Sequence, residues 1–141
     1  MNRIAVGLSR SGASRSALRW AAERACETGS ELLVVTAVAD PRPLGSVGGM
    51  QIPCIGSAAL EAATLQWQQH VIAETLQGVD LAASATRVVE VGSPSWVLLR
   101  RSADADLLVL GASRRRIGSV VRRCTKKSRC PVAVIEASPT E

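Results

Sequence analysis

Two short segments of the chain combine Ser, Gly and Arg in a pattern that suits an anionic ligand. The first, Ser9 to Ala13, follows an apolar run, and the second, Ala112 to Gly118, follows another. Each precedes a stretch with helical spacing, so each should lie at a helix N-terminus, where free N–H groups and the helix dipole attract phosphate. Arginine side chains add bidentate phosphate donors. The residue types therefore predict an anion-binding site.

The residues that could contact such a ligand come from both segments. They are Ser9, Arg10, Ser11 and Gly12 in the first, and Ser113, Arg114 and Arg116 in the second. Two simpler interpretations stay open. The segment around Gly12 could be a plain strand-to-helix turn, and the arginines could belong to a solvated helix face, as charge runs commonly do.

Five apolar runs and four stretches of helical periodicity alternate along the chain. The predicted strands are Arg3–Leu8, Glu31–Val38, Thr86–Val91, Asp106–Gly111 and Pro131–Glu136. The predicted helices are Ser14–Thr28, Ser57–Gln77, a third that begins at Ser93 and Pro94, and Gly118–Arg129. A stretch rich in Pro and Gly, Asp40–Gly56, is predicted to be a long loop.

This alternation predicts a Rossmann-like α/β fold, with a doubly wound five-stranded parallel sheet of order 3-2-1-4-5 and helices on both faces. Continuous apolar runs such as Glu31–Val38 suit strands that are buried on both faces. In such sheets, ligands bind beyond the carboxyl ends of the strands, where the strand order reverses. That point lies between the first and fourth strands, so the two Ser- and Arg-containing segments should meet there.

The composition predicts a single domain over residues 1–141, with 136–141 as a tail. The chain is 47% hydrophobic and contains no Phe or Tyr, so its core must be aliphatic. It also lacks the aromatic platforms on which single-stranded nucleic-acid binders stack bases. No apolar run approaches the roughly 20 residues of a membrane span. The first run, Ile4 to Leu8, is too short for a signal peptide, and we expect a cytoplasmic protein without membrane contact.

The net charge of +5 comes from one part of the chain. Between Arg114 and Arg129 there are eight basic residues and no acidic residue. Such a segment could neutralise nucleic-acid phosphates, with an affinity that falls steeply as salt rises. No base-reading motif accompanies it, so nucleic acid is not the favoured partner.

Few residues are candidates for metal binding or catalysis. The four cysteines are Cys26, Cys54, Cys124 and Cys130. They include no CxxC pair, so no metal site is predicted. Free thiols are expected, with a redox pair of Cys124 and Cys130 as the alternative. The single histidine, His70, lies in a predicted amphipathic helix and is interpreted as a surface or structural residue. The carboxylates Asp104 and Asp106 fall at the entry of the fourth strand, away from the expected crevice.

Several motifs together resemble the universal stress protein family over nearly the whole chain. The opening strand and helix carry Val6-Gly7-Leu8-Ser9 and Ser14-x-x-Ala17-Leu18-x-Trp20-Ala21, and the third helix begins after Gly92-x-Pro94. The last two strands carry Ala105-Asp106-Leu107-Leu108-Val109-Leu110-Gly111 and Cys130-Pro131-Val132-Ala133-Val134-Ile135. The resemblance implies a stress-response binding protein with a crevice for ATP or another adenine nucleotide.

The resemblance also implies that this crevice is weakened or lost. Members that bind ATP have an Asp at the end of the first strand, where this chain has Ser9. They carry Gly-x-x-Gly-x9-Gly-Ser/Thr after the fourth strand. Here the stretch begins at Gly111, but Arg114 and Cys124 stand at the other glycine positions, before Thr125. Their side chains hinder close approach of the backbone to phosphate. The resemblance adds Val38, Gly111 and Thr125 to the candidate site residues.

Members of the family commonly form homodimers through the last strand, which here is Val132–Ile135. An apolar edge strand invites such pairing, although the 40–56 loop could instead cover the edge. A dimeric, non-catalytic regulatory protein is therefore the favoured hypothesis. Two alternatives remain: a member that binds ATP with arginines in place of the glycine loop, and a nucleotide-dependent α/β enzyme.

Overall fold

The chain forms seven strands and four helices in the computed structural model, which describes residues 2–39, 45–47, 50–52, 57–79, 84–113 and 118–137. The strands are β1 (Arg3–Gly7), β2 (Glu31–Val38), β3 (Gly45–Val47), β4 (Met50–Ile52), β5 (Thr86–Val91), β6 (Leu107–Ala112) and β7 (Val132–Glu136). The helices are α1 (Gly12–Thr28), α2 (Ser57–Thr75), α3 (Pro94–Arg101) and α4 (Ser119–Lys127).

Five of the strands form one parallel sheet in the order β5-β2-β1-β6-β7. Strand β1 lies at the point of reversal, with Val6 opposite Val34 of β2 on one side and Val109 of β6 on the other. Counting only these five strands, the order is 3-2-1-4-5, which confirms the prediction. Because β1 and β6 are adjacent and parallel, the segments that follow them leave the sheet at the same edge.

The sheet is covered by helices on both faces, and each face has its own aliphatic core. On one face, Leu18 of α1 and Val71 of α2 pack with Val6. On the other, Val97 of α3 and Val121 of α4 pack in a cluster with Leu110. Side chains of β1 alternate between the two clusters, as the period of a strand requires. This burial on both faces explains why the strand sequences are continuously apolar.

The boundaries differ from the sequence prediction in a few places. The predicted 40–56 loop contains an antiparallel hairpin, in which Ser46 of β3 pairs with Gln51 of β4. The remainder of that loop lies outside the described residues. Helix α1 ends as predicted at Gly29, which adopts a left-handed conformation with φ of 66°. None of the helices in the described ranges is long and apolar enough to cross a membrane.

Candidate functional site

The candidate site lies at the carboxyl edge of the sheet, where two helices begin side by side. Helix α1 starts after the N-cap residue Ser11, and helix α4 starts after the N-cap residue Gly118. Neither helix has an acidic residue in its first turn. The first N–H groups of a helix have no partner within the helix and carry a partial positive charge. The two helix starts therefore direct positive partial charges towards the same edge of the sheet.

Hydroxyl groups hold the segment between β1 and α1 in a fixed shape. The buried Ser14 Oγ accepts the Ser9 N–H at 3.1 Å and lies 2.7 Å from the Ser9 carbonyl and 2.9 Å from the Ser11 carbonyl. Ser9 Oγ accepts the Ser11 N–H at 3.3 Å. The side chain that occupies the acidic position of the family pattern is thus a neutral hydroxyl engaged with its own loop.

Gly111, in β6, lets the start of α1 lie directly against the strand. A Cβ atom at this position would meet the carbonyl carbon and oxygen of Ala13 and would lie 2.7 Å from the Ser14 nitrogen. These are backbone atoms, which a rotamer change cannot move aside. The absence of a side chain at Gly111 therefore sets the distance between α1 and the sheet. It thereby sets the position of the α1 N-terminus at the carboxyl edge of the sheet.

Two connected hollows open at this edge. The inner one has a volume of about 150 Å³ and is mainly apolar, with Val35, Ala37, Leu98 and Leu110 among its walls. The outer one measures about 530 Å³ and runs between the two helix starts. Both are lined by Ser11, Gly111, Val120 and Val121. The apolar recess therefore joins a wider groove, whose lining includes the two helix starts and several Gly and Ser residues.

No described residue that lines either hollow has an ionisable side chain. The electrostatic character of the site, over the part of the chain that the structure describes, comes from the helix N-termini and from serine hydroxyls. Such a surface can bind an anion and an uncharged apolar ring. Among its described lining residues there is no His, Asp, Glu, Lys, Tyr or Cys, the side chains that serve in general acid–base catalysis.

The structure brings some of the predicted site residues together. Ser9, Ser11 and Gly111 line the inner hollow, and Ser113 and Gly12 line the outer one. Both sequence segments thus contribute to one site, as their position after adjacent strands predicted.

Other predicted site residues lie elsewhere. Arg10 places its guanidinium carbon 4.7 Å from the centre of the Trp67 ring of α2. Val38 is buried at the end of β2 and is not among the residues that line the hollows. Thr125 lies within α4, where its hydroxyl donates to the Val121 carbonyl at 2.7 Å. Arg114 and Arg116 fall outside the described residues.

The sequence prediction placed Gly118 at the end of its second segment, but it named neither Gly118 nor Ser119 as a site residue. Gly118 and Ser119 line the outer groove, opposite the start of α1. Only six residues separate Gly111 from Gly118, against twelve in the family pattern, so counting from Gly111 leads past them to Cys124 and Thr125. The signal that could have found them was the Gly-Ser pair itself, at the predicted start of a helix.

The cysteines and the histidine do not extend the site. Cys26, Cys124 and Cys130 are free, and Cys54 lies outside the described residues. Cys124 is fully buried, and this burial raises the pKa of its thiol, which disfavours the reactive thiolate. His70 is exposed and pairs with Glu74 on α2. The described residues contain no group of three side chains that could hold a metal ion.

Fold and site together define a class: a doubly wound α/β domain with two helix N-termini at its topological switch point. Residues 1–136 match the model of the Universal stress protein family. The chain belongs to the universal stress protein family. A search of curated protein sequences gives no match.

Solved structures of family members share the fold. Universal stress protein UspA from Lactobacillus plantarum superposes with a TM-score of 0.71 at 20% identity, covering 95% of this chain and 97% of the other. The Archaeoglobus fulgidus protein in complex with dAMP gives 0.61 at 23%, covering 96% and 98%. The Arabidopsis thaliana family protein with AMP bound gives 0.64 at 17%, covering 100% and 95%.

Proposed function

We propose that this protein is a non-catalytic, dimeric regulatory protein whose crevice binds an adenine mononucleotide weakly. The observation that carries the proposal is the meeting of the α1 and α4 N-termini across one groove beside an apolar recess. The groove suits the phosphate and the recess suits one edge of the base. The Archaeoglobus fulgidus and Arabidopsis thaliana relatives, which bind dAMP and AMP, support this class of ligand.

Three features of the site argue for weak binding. Ser9 supplies no carboxylate where the family pattern has an Asp, so the site lacks this acceptor for a ribose hydroxyl. The inner recess, at about 150 Å³, is smaller than the roughly 300 Å³ at which ligand pockets usually begin. No described cation lines the groove, so helix N-termini provide the attraction to phosphate.

The same residues argue against catalysis. A hydrolytic or transfer enzyme needs a group that can accept or donate a proton close to the reacting atom. The described lining of both hollows consists of Gly, Ser, Pro and aliphatic residues. Asp104 and Asp106 lie at the opposite edge of the sheet, where both bind Arg3. We therefore propose binding without turnover.

A calorimetric titration with AMP, using variants of Ser119, tests the nucleotide proposal. Ser119 is exposed in the first turn of α4, so Ser119→Glu places a negative charge at the groove while remaining compatible with the helix dipole. We expect the unmodified protein to bind AMP in the millimolar range, Ser119→Gln to bind similarly, and Ser119→Glu to lose binding at least about tenfold. Equal affinities for all three proteins would contradict the placement of phosphate, and no binding would contradict the proposal.

We further propose that two copies pair through strand β7. This strand is at one end of the sheet, and no described strand pairs with its outer side. Val134 exposes 40% of its surface there, although it is apolar and lies in the middle of the strand. A free strand edge with an exposed apolar side chain is a template for pairing with another strand. A second copy of the same edge satisfies its backbone groups and covers Val134.

A further inference from the structure

The outer surface of α3 and α4 forms a second distinct region, on the helical layer that covers one face of the sheet. Helix α4 buries Val121 and Cys124 and turns four basic side chains towards solvent. They are Arg122, Arg123, Lys126 and Lys127. Lys126 and Lys127, in the last turn, complement the helix dipole, but Arg122 and Arg123 gain nothing from it.

The spacing of these charges costs stability. Arg122 and Lys126 are four residues apart, as are Arg123 and Lys127, and like charges at this spacing destabilise a helix. No carboxylate in the described ranges forms an ion pair with Arg122, Lys126, Lys127 or Arg129. A solvated surface without a partner would gain from interspersed acids. The arrangement indicates that an anionic partner compensates the repulsion.

A groove beside these charges adds an apolar floor. It has a volume of about 410 Å³ and lies between α3 and the end of α4, lined by Trp96, Leu99, Arg100, Ala103, Lys127 and Arg129. Trp96 exposes 54% of its surface, the most among the large apolar side chains that are exposed in the described part of the chain. Arg100 places its guanidinium carbon 4.9 Å from the centre of the Trp96 ring and also pairs with Glu90, so the α3 side of the groove is held by contacts within the fold.

We propose that this groove, which we call the α3–α4 groove, is a docking site for an acidic peptide segment of a partner protein. An apolar side chain of the segment packs on Trp96, Leu99 and Ala103, and carboxylates on either side pair with Lys127 and Arg129. Trp and Arg are the residue types that most often dominate protein interfaces. The groove is separate from the crevice at the carboxyl edge of the sheet.

The groove favours a peptide over a nucleic acid. A protein surface that binds nucleic acid provides cations for the phosphates. A surface that binds single strands also provides several aromatic side chains on which bases stack. This surface offers one tryptophan, with an arginine stacked on its ring. An apolar floor of Trp96, Leu99 and Ala103 beside the cations of the groove is complementary to an apolar side chain between carboxylates.

Fluorescence anisotropy with two labelled peptides tests the proposal at physiological salt. The first peptide has a leucine between two short runs of glutamate, and the second has serine in place of the leucine. We expect the leucine peptide to bind at least about tenfold more tightly than the serine peptide, because only the leucine uses the apolar floor. We expect single-stranded DNA of equal charge to bind more weakly than the leucine peptide.

Variants separate the groove from general charge. Trp96→Ala, and Lys127→Glu combined with Arg129→Glu, should each weaken binding of the leucine peptide at least about tenfold. The control, Arg15→Glu combined with Arg24→Glu on α1, changes net charge equally on exposed residues of the opposite layer and should leave the affinity within about twofold. Circular dichroism confirms that each variant is folded.

Four results would overturn the proposal. Equal binding of the two peptides, or equal loss in the control variant, would reduce the surface to general charge attraction. Tighter binding of DNA than of the leucine peptide would assign the surface to nucleic acid. Absence of peptide binding at physiological salt would remove the docking site altogether.

Discussion

At the scale of single residues, the packing of the fold requires glycine at position 111, independently of any ligand. Its position begins the glycine pattern of nucleotide-binding relatives, where glycine is usually explained by phosphate. In this chain the missing side chain is required by α1, whose Ala13 carbonyl lies against the strand. The same glycine therefore lets the start of α1 lie at the carboxyl edge of the sheet, beside the groove between the two helix starts.

A substitution at Gly111 tests this account of the residue. Gly111→Ala must push α1 away from β6, and we expect it to lower the free energy of unfolding by at least about 2 kcal/mol, measured by urea denaturation. Gly118→Ser is the matched control, because no atom lies within 4 Å of a Cβ atom at Gly118 and serine is a good N-cap residue. Equal stability of the two variants would show that the close approach at Gly111 does not matter.

At the scale of elements, one buried polar side chain joins helix α2 to the sheet by hydrogen bonds, in addition to the apolar packing. Gln68 is completely buried, and its Nε2 donates to Thr36 Oγ1 at 3.0 Å and to the Val88 carbonyl at 3.1 Å. Its Oε1 has no hydrogen-bond partner among the described residues. The amide therefore acts as a donor that joins α2 to both β2 and β5, at the end of the sheet away from β7.

Two substitutions at Gln68 should differ in the size of their effect. Gln68→Met removes the donor and should cost about 1 kcal/mol. Gln68→Glu is nearly isosteric but sets a carboxylate against oxygen atoms, and should cost at least about 3 kcal/mol at neutral pH. Burial raises the pKa of such a carboxyl, so the Gln68→Glu variant should recover towards Gln68→Met as the pH falls towards about 5. Unfolding curves at both pH values measure this. No loss in Gln68→Met would refute the role of the donor, and equal losses at neutral pH would show that the carboxylate does not face the acceptor oxygens.

The elements show which features a sequence can predict. The five sheet strands and four helices follow from continuous apolar runs and helical periodicity, which burial on both faces requires. The β3–β4 hairpin was missed because its residues lie in a stretch whose Pro and Gly content favours a loop. Thr125 was placed in the site by counting from Gly111, but it lies within α4 and lines neither hollow. Arg10 was assigned to the site by its charge, but its contact with Trp67 depends on where α2 packs.

At the scale of the whole molecule, two surfaces remain available for partners once the domain has folded. Strand β7 is the last strand at one end of the sheet and has an exposed apolar side chain. The α3–α4 groove lies on the helical layer beside it. The proposed nucleotide crevice opens at a third place, the carboxyl edge of the sheet.

The proposed dimer is tested most simply by its mass. Val134→Lys puts a charge into the centre of the proposed strand pairing, and we expect a change from twice the chain mass of 14.8 kDa to the mass of a single chain. Light scattering after gel filtration measures it. Leu65→Lys on α2 is the control, because Leu65 is 38% exposed, similar to Val134 at 40%. A monomeric unmodified protein, or a dimeric Val134→Lys variant, would exclude pairing through β7.

The most direct test of the central proposal is a map of backbone amide shifts during an NMR titration with AMP. We predict that the largest changes occur at the two helix starts, at Gly12 and Ala13 on one side and at Gly118 and Ser119 on the other, and that they saturate together in the millimolar range. Changes centred on the α3–α4 groove, or no changes at any AMP concentration reached, would contradict it.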